Sequence, residues 1–172
     1  MTGVPGLLDR KIAWGTKNIA EGPAMTREQA IRSIEIGIEI AEENVRKGYK
    51  VFSIGEMGIS NTTSSACILG TFNRWNAIEV TGRGTNISDE RLVHKVEVVQ
   101  KAMDVNHPDP KDGLDVLAKV GGFEFGCLTG VILGAAANHA MTIIDGFNTT
   151  ASAFIAKALS PQVSDYLMAP VA

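Results

Sequence analysis

The sequence predicts an α/β fold: a Rossmann-like parallel sheet with helices on both faces and glycine loops at its carboxyl edge. Three observations support this prediction. Short β-branched apolar runs alternate with longer helical patterns, each run is followed by a glycine-containing loop, and each loop precedes a helix. Because crossovers between parallel strands are right-handed, the three loops would lie along one edge of the sheet. Ligands bind at that edge in open α/β sheets.

Composition favours one globular domain over residues 1–172 and argues against several classes of partner. The chain is 45% hydrophobic and 20% charged, and its formal net charge of −3 includes no basic block, so no nucleic-acid partner is expected. Cys67 and Cys127 lie in apolar helical patterns, which is typical of a reducing cytoplasm. The start lacks a signal-peptide pattern, and polar residues interrupt the longest apolar stretch, 125–144, so no membrane span is expected.

The first predicted element is a helix over residues 25–47. Residues 1–24 are rich in glycine and proline and predict an irregular leading segment. Thr26 and Gln29 form a capping-box pattern, and Gly48 follows the helix as a stop. The apolar stripe of this helix comprises Ala30, Ile31, Ile34, Ile38, Ala41 and Val45.

A predicted buried strand (51–54) and helix (64–69) flank the loop 55–63, Gly-Glu-Met-Gly-Ile-Ser-Asn-Thr-Thr. Its glycines permit close backbone approach, Asn61 and the two threonines can cap the next helix, and amides at a helix start suit a phosphate. Glu56 suits sugar hydroxyls, a ring nitrogen or a backbone donor better than an anion. The same pattern is also ordinary for a tight strand-to-helix turn, so both interpretations stay open.

Residues 77–80 predict a second strand, which leads into a second glycine loop at 82–86. Ser88 then caps a helix that extends to about Met103. Lys95 lies on this helix, off its apolar stripe. A lysine in that position is either solvated or a phosphate ligand, and spacing does not decide between them.

The carboxyl-terminal half predicts two helices, a third strand and a last helix. The helices cover 114–120 and 124–137, and the small residues of the second one imply close approach to a neighbouring element. The third strand covers 141–144 and ends at Asp145, and the last helix covers about 149–159. Asp145 is either a cap for the turn or a carboxylate directed at ligand hydroxyls.

Simple phosphate and metal motifs are incomplete. Residues 82–84, Gly-Arg-Gly, would open a dinucleotide fingerprint, but Ile87 stands at the third glycine position. The loop 55–63 lacks the Gly-Lys pair of a P-loop. The histidines and cysteines show no metal-ligand spacing, so no metal is expected, and Cys67 is interpreted as a buried small apolar residue.

Four separated motifs occur in a specific order along the chain. They are the loop 55–63, Gly-Arg-Gly-Thr at 82–85 with Lys95 on the next helix, Gly-Gly-Phe-Glu at 121–124, and Asp-Gly-Phe at 145–147. In this order they closely resemble the motifs of the nicotinate-nucleotide:dimethylbenzimidazole phosphoribosyltransferase family. Asn18 and residues 23–26 resemble the segment that precedes the first motif, so the resemblance covers essentially the whole chain.

The resemblance implies a homodimeric α/β enzyme that needs no cofactor and no metal. Its implied reaction transfers the phosphoribosyl group of nicotinate mononucleotide to 5,6-dimethylbenzimidazole. The products would be α-ribazole 5′-phosphate and nicotinate, in assembly of the lower-ligand nucleotide of cobalamin.

The resemblance also implies a substrate-binding set drawn from the three loops. The set comprises Glu56 and Gly58 at the nucleotide end, Asn61 and Thr62 shaping the first loop, Gly82, Gly84 and Lys95 at the ribose phosphate, and Asp145 and Gly146 closing the site. This agrees with elementary chemistry. A phosphate suits loop amides and a helix start, and a ribosyl centre that gains positive character suits a nearby carboxylate.

The chain also departs from the family pattern. Family members are about twice as long and carry an amino-terminal part with base-pocket residues and a carboxyl-terminal glycine-rich stretch whose glutamate is the proposed general base. With both patterns absent, the catalytic residue is unassigned, and Glu56 is the best remaining carboxylate. Ser60 and Asn86 replace glycines usual in the motifs.

These departures lead to three hypotheses. The first is the central part of such an enzyme, naturally short or truncated, which retains the phosphoribosyl side of the site and lacks the general base. The second is a non-catalytic binding module or scaffold that holds a nucleotide, or that assembles with itself or with another chain that supplies the missing parts. The third is a fold relic. Missing flanks would expose apolar surface on the helix 124–137 and the last helix, so a dimer is expected.

Overall fold

A computed structural model describes residues 4–169 of the chain. The helices are α1 (Arg27–Arg46), α2 (Thr62–Asn73), α3 (Ala77–Val80), α4 (Asp89–Asn106), α5 (Gly113–Val120), α6 (Phe123–Ala137) and α7 (Phe147–Leu159). The strands are β1 (Val51–Ser53), β2 (Met141–Ile143) and β3 (Leu167–Met168), and a 3-10 helix (Pro161–Tyr166) precedes β3. Among the described residues, no helix combines the length and apolarity needed to cross a bilayer.

The three strands form a parallel sheet in the order β1-β2-β3. Phe52 pairs with Thr142, and Thr142 pairs in turn with Leu167. The amide of Ile54 donates to the carbonyl of Ile143 at 3.2 Å and extends the first pairing by one residue. The predicted parallel α/β architecture and two of its strands are therefore confirmed, whereas β3 was not predicted because only two residues form it.

The predicted strand over residues 77–80 is wrong, because this segment is the short helix α3. The Asn76 side chain accepts from the Glu79 amide at 3.1 Å, and the Glu79 carboxylate accepts from the Asn76 amide at 2.8 Å. This reciprocal capping box satisfies two amides that a helix start leaves unpaired. The loop 82–86 consequently follows a helix, and in residues 4–169 the succession of strand, glycine loop and helix occurs twice rather than three times.

Helices α1 and α6 pack at unusually short range, as the small residues of α6 predicted. A Cβ atom placed on Gly130 would lie 1.9 Å from the carbonyl oxygen of Ile34, and one on Gly37 would lie 2.0 Å from the carbonyl oxygen of Cys127. The two backbones thus touch where glycines face each other. This contact fixes α6, and with it the position of Glu124 in the first turn of that helix.

The apolar core on the sheet joins one face of β1 to α6 and α7. Phe52 and Ile54 pack in one cluster with Val131, Ile132, Ala153 and Ala156. Val51 and Met141, which alternation places on the opposite face, are 54% and 37% exposed. One face of the sheet is therefore packed against α6 and α7, and this packing fixes the strands from which the next helices follow.

Helix starts and ends follow local chemistry closely. The Thr26 and Gln29 capping box is formed as predicted, and α1 begins one residue after Thr26. The Ser88 hydroxyl accepts from the Arg91 amide and opens α4 as predicted, although α4 continues to Asn106, three residues beyond the expected end. Helix α7 begins at Phe147, two residues earlier than predicted, because Gly146 serves as its N-cap.

Candidate functional site

The carboxylate of Glu56 is the centre of a hydrogen-bonded group at the carboxyl end of β1. Its Oε2 accepts from the Gly58 amide at 2.6 Å and from the Asn61 side chain at 2.5 Å. Its Oε1 accepts from the side chain of Asn148 at 2.5 Å. A Cβ atom on Gly58 would lie 2.2 Å from Asn61 Nδ2, so glycine at this position permits the arrangement.

Asn61 links Glu56 to a second carboxylate. Its Nδ2 also donates to Glu124 Oε1 at 3.3 Å, and its Oδ1 accepts from Asn148 at 3.1 Å. The expectation that the Asn61 side chain caps the next helix is wrong: Asn61 is the N-cap residue of α2, but its side chain makes no capping hydrogen bond. The reason is competition, because the two carboxylates and Asn148 already engage the amide.

Sequence reasoning missed Asn148 and Ser65. Asn148 stands in the first turn of α7, and its Oδ1 accepts from the Ser65 hydroxyl at 2.6 Å. Ser65 itself is fully buried. An asparagine near a helix start is ordinary capping chemistry, so nothing local distinguishes Asn148 from a cap. Its contact with Glu56 spans 92 residues of chain and exists only in the folded protein.

The environment of Glu56 favours its ionised form. Partial burial raises the pKa of a carboxyl, but the hydrogen bonds from Asn61, Asn148 and the Gly58 amide together outweigh burial, so the pKa of Glu56 is lowered below its usual range. A glutamate held by three donors is an anion at neutral pH. It is suited to a positive charge or to ligand hydroxyls rather than to donating a proton.

Lys95 is turned inward rather than solvated. Its Nζ donates to the hydroxyl of Thr62 at 2.8 Å and to the carbonyl of Gly82 at 2.9 Å. Burial lowers the pKa of Lys95. The lysine thereby ties the loop 82–86 to the start of α2, so the second glycine loop joins the site even though no strand precedes it.

A positive φ is required at two positions in the glycine loops that lack glycine. Ser60 has a φ of 73° and Asn86 a φ of 61°. Asparagine tolerates this left-handed conformation, whereas serine adopts it at greater cost. The left-handed conformation therefore falls on two residues other than glycine, and the strain is at Ser60.

The third loop is shaped by Thr149. The amides of Asp145 and Gly146 both donate to Thr149 Oγ1 at 2.9 Å. Asp145 is exposed, and within residues 4–169 its carboxylate takes part in none of the hydrogen bonds that join Glu56, Asn61 and Asn148. The turn is thus capped by a threonine hydroxyl, and the Asp145 side chain faces solvent.

A cavity of about 390 Å³ lies beside Lys95 and between the loops. Its lining comprises Thr62, Glu79, Val80, Thr81, Gly82, Gly84 and Phe147. Three predicted site residues, Thr62, Gly82 and Gly84, thus line one space, whereas the other four lining residues were not predicted as site residues and Glu56 is not part of this lining. A larger cavity, of about 500 Å³, lies among α1, α6 and the 3-10 helix and includes no predicted site residue, so we place the candidate site at the smaller one.

Burial decides the role of Cys67. This residue is 0% exposed, which confirms its interpretation as a buried apolar residue, and burial raises its pKa to about 12. Such a thiol is not a nucleophile at neutral pH. Within the described chain, no three or more His, Cys, Asp or Glu side chains are grouped in a way that could hold a metal ion.

The chain is similar to known proteins over nearly its whole length. It is 52% identical over 164 residues to the nicotinate-nucleotide–dimethylbenzimidazole phosphoribosyltransferase of Clostridioides difficile (strain 630), covering 95% of this chain and 47% of that protein. It is 52% identical over 165 residues to the protein of the same name from Geobacter sulfurreducens, covering 96% of this chain and 47% of that one. The crystal structure of CobT from Thermus thermophilus superposes with a TM-score of 0.92 at 37% identity, covering 98% of this chain and 50% of that one.

A match to a family model gives the same assignment as these relatives. The chain spans about half the length of each relative named above. The family model described as phosphoribosyltransferase matches residues 2–171. The chain therefore belongs to this phosphoribosyltransferase family.

Proposed function

We propose that this chain carries the phosphoribosyl-binding part of an enzyme that transfers the phosphoribosyl group of nicotinate mononucleotide to 5,6-dimethylbenzimidazole. The products are α-ribazole 5′-phosphate and nicotinate, in cobalamin biosynthesis. The alternative is a catalytically incomplete homologue that binds the nucleotide or serves as a scaffold. The Glu56 carboxylate supports this alternative. Three donors hold it ionised, so it is better suited to binding a positive charge than to transferring a proton.

One observation carries the proposal: two adjacent residues, Asn61 and Thr62, each hold a charged side chain, one an anion and the other a cation. Glu56 bonds to Asn61, and the next residue, Thr62, bonds to Lys95. Nicotinate mononucleotide has a phosphate at one end of the ribose and a positively charged ring nitrogen at the other. The two protein charges match these two ends in kind.

Charge development during the transfer supports the same assignment. Cleavage of the bond between the ribose and nicotinate gives the ribosyl carbon positive character, and a fixed carboxylate stabilises that charge at no cost of reorganisation. Glu56 is such a carboxylate, since three donors fix it. The Lys95 ammonium suits the phosphate, because charge-assisted hydrogen bonds to phosphate are strong.

Backbone groups complete the proposed binding set. Gly82 and Gly84 line the cavity beside Lys95, where main-chain amides suit phosphate oxygens. Gly58 leaves room for the Glu56 carboxylate, and Asp145 with Gly146 would close the site from the third loop. The exposed Asp145 carboxylate is free to meet ligand hydroxyls.

The general base of the reaction is not assigned to a residue of this chain. The benzimidazole loses a proton during transfer, and a carboxylate with a lowered pKa, as Glu56 has, accepts a proton poorly. Turnover by this chain alone should therefore be slow even where the nucleotide binds. Binding and turnover thus separate the two candidate functions.

Two finer proposals concern the state of the protein in the cell. We propose a cytoplasmic location, supported by the free thiols of Cys67 and Cys127. We also propose a homodimer, supported by exposed apolar side chains on the strand face at Val51 and Met141. Equilibrium sedimentation at micromolar concentration tests the dimer, and a compact monomer would contradict it.

Calorimetric titration with nicotinate mononucleotide and with α-ribazole 5′-phosphate tests the proposed function. We expect saturable binding that Glu56→Ala weakens and that Glu97→Ala, at an exposed position on α4, leaves unchanged. Nicotinate release on adding 5,6-dimethylbenzimidazole, measured by chromatography, would support the transferase. Binding without release would support the nucleotide-binding module. No binding by a folded sample would overturn both the transferase and the nucleotide-binding module and would favour the scaffold.

A further inference from the structure

Among residues 4–169, the hydrogen bonds to the Glu56 carboxylate leave one acceptor position for a ligand. An ionised carboxylate offers about four acceptor positions, two on each oxygen. Oε2 uses both of its positions, for the Gly58 amide and the Asn61 side chain. Oε1 uses one, for Asn148. The remaining position therefore lies on Oε1, the oxygen that Asn148 holds.

Both donors of the Asn148 amide are engaged, and the amide can adopt one orientation. Its nitrogen donates to Glu56 Oε1 and to Asn61 Oδ1, at 2.5 and 3.1 Å, and its oxygen accepts from the Ser65 hydroxyl at 2.6 Å. A flipped amide would place its oxygen against two other oxygens. An ionised carboxylate only accepts hydrogen bonds, so Glu56 selects the Asn148 orientation that donates to it, and the fully buried Ser65 hydroxyl donates to the amide oxygen in that orientation.

We infer that Asn148 is a positioning residue, which fixes the Glu56 carboxylate so that the free acceptor of Oε1 is presented to the ligand. This inference rests on the proposed function for the identity of the ligand. Asp145 and Gly146, which were expected in the site, do not position Glu56. The inference assigns this role to the first turn of α7. Asn148 also couples two loops. Its side chain forms hydrogen bonds to the loop 55–63, and its backbone follows the loop at 145–146.

Two substitutions of similar shape test the inference. Asn148→Leu removes the donors, and Asn148→Asp replaces the donating nitrogen with an oxygen that faces Glu56. A matched control is Asn138→Leu, which removes an asparagine whose side chain donates to the Gly134 carbonyl at 2.8 Å at the end of α6, away from Glu56. All variants are compared with the full chain by thermal melting before use.

The first readout is the titration of Glu56, followed by carbon NMR of labelled glutamate carboxyls and assigned with Glu56→Gln. Loss of one charge-assisted hydrogen bond should raise the pKa of Glu56 by about one in Asn148→Leu. The rise should be larger in Asn148→Asp, because a second carboxylate disfavours ionisation of the first. Asn138→Leu should leave the titration unchanged.

The second readout is the affinity for nicotinate mononucleotide, which we expect to fall about tenfold in Asn148→Leu. An unchanged Glu56 titration in both Asn148 variants would overturn the inference, whether or not the nucleotide binds. A raised pKa with unchanged affinity would overturn it too, because Asn148 would then hold Glu56 without serving the ligand. If the unaltered chain binds no nucleotide, the proposed function fails, and the ligand part of the inference fails with it, whereas the titration still decides whether Asn148 fixes Glu56.

Discussion

The ammonium of Lys95 donates a 2.8 Å hydrogen bond to the hydroxyl of Thr62, 33 residues earlier in the chain. The bond joins the middle of α4 to the first residue of α2 and brings the second glycine loop beside the first. Lys95→Met should keep the side-chain length and lose the charge. We expect its affinity for nicotinate mononucleotide, measured by calorimetry, to fall at least about tenfold, because a charge-assisted phosphate contact is lost.

The control for this prediction is Lys101→Met, an exposed lysine on the same helix. It changes the net charge equally and should bind as the unaltered chain does. Equal losses in both variants would mean that general charge, rather than the position of Lys95, governs binding.

The backbone contact between α1 and α6 should tolerate no side chain at Gly130. In Gly130→Ala the new Cβ would lie 1.9 Å from the Ile34 carbonyl oxygen, so the helices must separate. We expect the free energy of unfolding to fall by about 2 kcal/mol or more, measured by urea titration. Gly15→Ala, where a Cβ meets nothing within 4 Å, should change it little, and similar values for the two variants would contradict the tight packing.

The left-handed conformation of Ser60 should make this position sensitive to side-chain shape. A β-branched residue is strongly disfavoured at a φ of 73°, so Ser60→Val should lower the free energy of unfolding by about 1–2 kcal/mol. Ser60→Gly should not lower it. Circular-dichroism melts distinguish the two, and a stable Ser60→Val would show that the loop adopts another conformation in solution.

Removing the hydroxyl should change the free energy of unfolding in opposite directions at two fully buried threonines. Thr142 is 1% exposed, and its Oγ1 is without a hydrogen-bond partner among the described residues, whereas Thr129 is 0% exposed and donates to the Ser152 carbonyl at 3.1 Å. Thr142→Val should raise the free energy of unfolding by about 1 kcal/mol, and Thr129→Val should lower it by about 1 kcal/mol. Urea titration measures both, and a destabilised Thr142→Val would reveal a partner for that hydroxyl.

The hydrogen bonds to Glu56 should make stability depend on pH in the acid range. Because folding lowers the pKa of Glu56, its contribution is fully present above the pKa of the unfolded chain, about 4.3, and is lost as the pH falls through the folded value. We expect the difference in melting temperature between the unaltered chain and Glu56→Gln to be greatest near neutral pH and to shrink in acid. A difference that does not change with pH would contradict the ionised network.

Local patterns predicted much of the fold. The Thr26 and Gln29 capping box, the two longer strand runs and the small-residue face of α6 each arise from neighbouring residues, so periodicity and spacing reveal them. The apolar stripe of α1 was predicted only in part, because Ile31 is 41% exposed whereas Ile36 is buried. The error at 77–80 was also local in origin. Four apolar-rich residues fit a strand or a helical turn equally well, and the Asn76 and Glu79 capping pair decided for the helix.

The sequence by itself determined the α/β class, the family motifs and the loops that contain Glu56, Asn61 and Lys95. Only the tertiary structure decided how these residues are used: Asn61 bonds to carboxylates instead of capping α2, Lys95 turns inward, and Asn148 joins Glu56. The hydrogen bond between Glu56 and Asn148, 92 positions apart, depends on the parallel pairing of β1 with β2, which brings the segments that follow the two strands together. No periodicity or spacing along the chain encodes that geometry, because it arises only when the packed elements bring their loops together.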